Sequence, residues 1–123
     1  LIRETKVARA SQICANLENP QYQVRKRLYN LQSVYESELV DFLVKMYNDP
    51  KTIILFGSYS RGEDIERSDV DIAVFTSVHR NLNLKPFENK LARKVSVHEI
   101  TLQKVSEEFK NNLYNGIVIY GAL

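Results

Sequence analysis

Two aspartates one residue apart, Asp69 and Asp71, come ten residues after the pair Gly57-Ser58. At positions i and i+2 of a strand, two side chains point to one face. Two carboxylates held side by side repel unless a cation lies between them. Hard oxygen ligands suit Mg²⁺, which commonly takes one or two carboxylates together with substrate phosphates. Gly57 lets the backbone approach a ligand closely. Ser58 adds a hydroxyl and opens a short helix whose free N–H groups attract phosphate. Arg61, one turn further on, is a bidentate donor for the same anion. Gly57, Ser58 and Arg61 thus form a phosphate cradle beside a metal held by Asp69 and Asp71, which is the machinery of phosphoryl or nucleotidyl transfer. Arg61 has alternative partners in Glu63 and Asp64, and the loop acids Glu63, Asp64 and Glu66 read as solvated.

These side chains need elements to position them. Thr52–Phe56 (T-I-I-L-F) is a short apolar strand that delivers the chain into Gly57. Ser58–Gly62 reads as the first turn of a helix. Asp69–Thr76 alternates acids at 69 and 71 with apolar residues at 70, 72 and 74, so one face is buried and the other offers two carboxylates. A third strand spans Val95–Ile100, with Val95 and Val97 facing the core. That leaves Ser96 and His98 on the face of the aspartates and gives Glu99 the opposite parity unless a bulge shifts it.

Around these strands, helical spacing runs through Leu28, Leu31, Tyr35, Leu39, Phe42 and Met46. This predicts one long helix over 21–48, or two divided near Asn30, starting at Asn19-Pro20. Further helices are expected over 84–93 and 102–113, with a last apolar segment at 117–120. Helices interspersed with strands indicate an α/β or α+β fold, a small mixed sheet with helices packed on one face. Tyr22, Tyr29, Tyr35 and Tyr47 read as core or interface, and the long helix offers a face for pairing with another copy.

Length and charge bound the rest. The chain has 123 residues, 44% apolar, with a net charge of +2, so it is not a polycation built to coat nucleic acid. Residues 1–27 hold six basic side chains against two acidic ones, a modest bias at one end. Arg25-Lys26-Arg27 reads as a solvated helix face and His79 as a surface residue. The single cysteine, Cys14, allows no intrachain disulfide and fits a reducing, cytoplasmic setting. No apolar run reaches membrane-spanning length.

The string L-F-G-S-Y-S-R-G, followed by S-D-V-D-I-A-V, resembles the signature of the polymerase-beta-like nucleotidyltransferase superfamily, in particular its minimal nucleotidyltransferases. The resemblance covers roughly residues 50–123. It implies a nucleotidyltransferase fold, nucleoside triphosphate as substrate, Mg²⁺ on Asp69 and Asp71, and transfer of an NMP to a hydroxyl with release of pyrophosphate. In that superfamily a third carboxylate on the neighbouring strand completes a two-metal site and is the usual candidate for activating the hydroxyl. Here Ser96 holds that place, and His98 is the candidate general base. Residues 1–30 resemble the tail of a winged-helix domain of the kind fused to minimal nucleotidyltransferases in some archaeal regulators, which implies DNA as a partner. The expected organisation is an N-terminal arm over 1–19, a helical linker over 20–49 and a nucleotidyltransferase domain over 50–123. Beside the enzyme stand two other readings. One is a catalytically weak domain of a DNA-binding regulator. The other is an antitoxin that adenylylates or masks a protein partner.

Overall fold

The computed structural model describes residues 20–122. The arm expected over 1–19, and with it the larger part of the winged-helix resemblance over 1–30, lies outside the described residues.

β1 (Thr52–Phe56) is central in a four-stranded sheet of order β3-β2-β1-β4. It runs antiparallel to β2 (Val70–Phe75) and to β4 (Ile117–Gly121), whereas β2 runs parallel to β3 (Val95–Ile100). The sheet is therefore mixed, as expected. All five residues of β1 are buried, as an apolar strand flanked on both edges and covered on both faces should be.

The helices occupy both faces, which corrects the expectation of one. α1 (Pro20–Glu36), α2 (Leu39–Met46) and α4 (Lys85–Leu91) accompany the face carrying Ile53, Leu55, Val70, Ile72, Val74 and Val95. The opposite face carries Ile54, Phe56, Ala73 and Ile100, and it is covered by Phe109 and Leu113 of α5 (Glu107–Tyr114). The reason is plain in β1: Ile53 to Phe56 are apolar in succession, so both of its faces need cover. α3 (Gly57–Arg61) is the short helix at the end of β1.

The helical stretch before β1 divides at Ser37-Glu38, not near Asn30. Glu38 takes a left-handed conformation with φ 68°, and Ser37 Oγ donates to the Val34 carbonyl at 2.7 Å while accepting from the Leu39 amide at 3.2 Å. The stretch is also more than a linker, because Val34, Leu39, Val40, Leu43 and Tyr47 are all buried in the first core. The helix expected over 102–113 is in two pieces. Leu102–Lys104 is a single 3₁₀ turn, and α5 starts afresh where Ser106 Oγ accepts the Phe109 amide at 3.1 Å.

Candidate active site

The site is built where β1 ends and β2 begins. In register, Phe56 lies opposite Asp71, and Asp71 lies beside Ser96 of β3. Alternation then puts Asp69, Asp71, Ser96 and His98 on the α5 face, while Glu99 projects from the other side. No irregularity interrupts the β2–β3 pairing. Ser96 Oγ donates to Asp69 Oδ2 at 3.1 Å. His98 Nε2 is 3.8 Å from Asp71 Oδ1, an ion-pair distance too long for a hydrogen bond. The His98 ring packs near Phe56 and Phe109, with centroids at 5.4 and 5.9 Å. The aromatic end of the second core thus orients the imidazole toward Asp71.

Gly57 fits here for a steric reason. Its φ is +78°, and a Cβ on it would lie 2.5 Å from Asp71 Oδ2. No side chain other than hydrogen leaves room for that carboxylate. Ser60, which no sequence motif singles out, is buried and donates from Oγ to the Gly57 carbonyl at 2.7 Å. It fixes the strand-to-helix corner from behind. Gly62, also left-handed, closes α3.

The two aspartates sit in different surroundings. Burial pushes the Asp71 carboxyl above its usual value; the neighbouring Asp69 charge adds to this, and His98 opposes it. A half-buried carboxylate beside a second one is a place where added positive charge is favoured. Two carboxylates flanked by a serine hydroxyl make a hard-oxygen set that fits Mg²⁺. Among the described residues, no group of three or more His, Cys, Asp or Glu side chains could hold a metal, in keeping with a serine where the third acid is expected.

The remaining sequence candidates fall elsewhere. Arg61 Nε donates to Glu63 Oε1 at 2.8 Å, and Gln23 Nε2 donates to the Arg61 carbonyl and to Glu63 Oε2. That exposed pair engages the Nε of Arg61 with Glu63. Asp64, expected in a solvated loop, is instead a buried hub, its side chain wholly out of solvent. It accepts from Asn30 Nδ2 at 2.8 Å and Arg93 Nη2 at 2.9 Å, with Lys26 Nζ at 3.6 Å. Asn30, Lys26 and Arg93 are 29 to 38 residues away, so no local pattern announces the cluster. Glu99, the off-parity acid, accepts from Tyr47 Oη, His79 Nδ1 and the Arg80 amide at 2.6, 2.7 and 2.8 Å. It anchors the loop after β2 and has no part in the aspartate site.

Residues 38–122 match the family model described as Polymerase beta, Nucleotidyltransferase. The chain belongs to that family. The match starts at α2, one helix earlier than the boundary expected at residue 50. Domains of this nucleotidyltransferase family serve nucleotidyl transfer, bind nucleotide and generally use a divalent metal. No curated protein matches the chain. Among the described residues, no helix is long and apolar enough to cross a membrane.

Proposed function

We propose that the chain transfers an NMP from a nucleoside triphosphate to a hydroxyl acceptor, with Mg²⁺ held by Asp69 and Asp71. The observation that carries this reading is the fit of Gly57 against Asp71. Backbone and carboxylate approach so closely that a phosphate held on the Gly57-Ser58 corner would lie beside a cation held by Asp69 and Asp71. A bound Mg²⁺ supplies charge neutralisation across the phosphates and orients them. Gly57 and Ser58 hold the triphosphate, and Arg61 joins them. The acceptor oxygen attacks the α-phosphorus, the bond to the bridging oxygen breaks and pyrophosphate leaves. His98, one alternation along β3 from Ser96, takes the hydroxyl proton, a role the family ordinarily gives to a carboxylate.

The test is incubation with labelled ATP, GTP, CTP and UTP plus Mg²⁺ over nucleic-acid, protein and small hydroxyl acceptors. Label should be transferred from at least one triphosphate, and Asp69→Asn and Asp71→Asn should each abolish it. Transfer that survives in either variant ends the metal-site reading. His98→Ala should slow transfer by about 10²–10⁴-fold if the imidazole is the base. An unchanged rate removes it from that role.

Ser96 in the third-acid place supports a second reading, a domain that binds nucleotide and metal but turns over poorly. It would then serve as the sensing part of a DNA-binding regulator or as an antitoxin bound to a protein. Nucleotide binding without transfer to any acceptor selects it.

A further inference from the structure

α1 is an amphipathic helix turned the unusual way round. Its inward stripe is largely polar. Gln23, Arg27 and Asn30 reach the backbone of α3, donating to the carbonyls of Arg61, Ser60 and Tyr59 at 3.0, 3.3 and 2.9 Å, and Val34 completes the stripe inside the core. These positions, 23, 27, 30 and 34, repeat in steps of four, three and four.

One residue further on, a second stripe keeps the same steps and is apolar: Val24, Leu28, Leu31 and Tyr35. A one-residue offset turns it by about 100° away from α3. Val24, Leu28 and Tyr35 are 53%, 61% and 47% exposed, and only Leu31 is partly covered. Ile117 of β4 borders a shallow groove along Val24, Leu28 and Leu31. Tyr35 Oη, donating to the Ile119 carbonyl at 2.9 Å, ties the far end of the stripe to the same edge strand, where Val118 is also exposed. Steps of four and three are the spacing of a coiled-coil seam, in which each apolar knob enters a hole on a facing helix. Four such residues in a row on a helix pinned along its other side form a patch that calls for a partner.

We propose that this face pairs with the same face of a second copy of the chain, α1 against α1 in antiparallel orientation about a two-fold axis between Leu28 and Leu31. The stripe is self-complementary, because Val24 and Leu28 of one helix meet Tyr35 and Leu31 of the other, as an isologous contact requires. Charge favours the antiparallel sense. Arg25 lies at the start of the stripe and Glu36 at its end, so the antiparallel pair puts each beside its opposite, whereas a parallel pair stacks like on like. The hydrogen bonds to α3 hold α1 in place before it binds, so little order remains to be gained on association.

Sedimentation equilibrium of the whole chain over a concentration series provides the test. The wild-type protein should fit a monomer–dimer equilibrium. Leu28→Glu places a charge in the seam and should give a monomer at all concentrations, with the circular dichroism of the wild type retained because Leu28 is exposed. Leu28→Ala keeps helix propensity and should weaken dimerisation by at least about tenfold, which guards against a Glu variant that fails to fold. A wild-type chain that is monomeric throughout overturns the proposal. So does a dimer that persists undiminished in both variants. The outcome does not depend on catalysis and is read without nucleotide.

Discussion

The decisive contacts of the site are single-residue contacts, and each can be altered by itself. Gly57→Ala adds a Cβ that would lie 2.5 Å from Asp71 Oδ2, in a left-handed conformation unfavourable for alanine. The carboxylate must move, so Mg²⁺-dependent nucleotide affinity should fall by about 10–100-fold, the usual effect of disturbing a group that orients a metal ligand. Titration of Mg²⁺ against a fluorescent nucleotide measures it, and an affinity equal to wild type shows that the Gly57–Asp71 fit does not matter for binding. Ser96→Asp runs in the other direction. Ser96 sits beside Asp71 in the parallel register and already bonds Asp69, so a carboxylate there supplies the third acid the family ordinarily has. Mg²⁺ should bind more tightly to this variant, with faster transfer if the native site is limited by its missing acid. Calorimetry showing equal or weaker Mg²⁺ binding contradicts that placement.

At the scale of elements, the position of α1 on the domain hangs on Asp64. Its wholly buried carboxylate gathers Asn30 and Lys26 of α1 with Arg93 from the turn before β3. Breaking a buried ion pair by deleting one partner leaves an uncompensated charge and costs about 3–5 kcal/mol. Arg93 and Lys26 keep some solvent, so the low end applies. Asp64→Ala should therefore lower unfolding free energy by about 3 kcal/mol, a large share of what a small domain has. Urea denaturation reads it, and a loss under about 1 kcal/mol would mean the hub behaves like a surface pair. The same cluster explains why the helical pattern alone misplaces the break in this stretch. A buried asparagine resembles an interruption in the sequence, but Asn30 is satisfied by Tyr59 and Asp64 in mid-helix. The real break, at Ser37-Glu38, depends on a hydroxyl cap and a left-handed residue.

For the molecule as a whole, the loop after β2 gives stability a pH dependence separate from the aspartate face. Burial pushes the Glu99 carboxyl up, but hydrogen bonds from Tyr47, the Arg80 amide and His79 overcome this and hold it below its ordinary 4.5. Its contribution is present above that value and lost as pH falls through the depressed one. His79 is raised above its ordinary 6.5, chiefly by its hydrogen bond to Glu99, so its contribution is present below 6.5 and lost as pH rises through the raised value. Both hold together between about 4.5 and 6.5. The urea midpoint of His79→Ala should fall furthest behind wild type in that window, and the two curves should converge on either side. A difference that is constant with pH rules the tie out.

The sequence alone determined which side chains share the aspartate face, because strand alternation is local. An apolar strand ending in Gly57, acids at 69 and 71, and the parity of Ser96, His98 and Glu99 all follow from a period of two residues, and the register shows them where that period requires. Only the tertiary structure decided what lies between distant segments. It turned a solvated loop acid into the buried Asp64 hub, covered the aspartate face with α5 and pointed an apolar stripe of α1 outward. Those outcomes depend on charges and side chains brought together from far along the chain, and a repeat of two or of three and four residues records which side of an element is apolar but not what will come to rest against it.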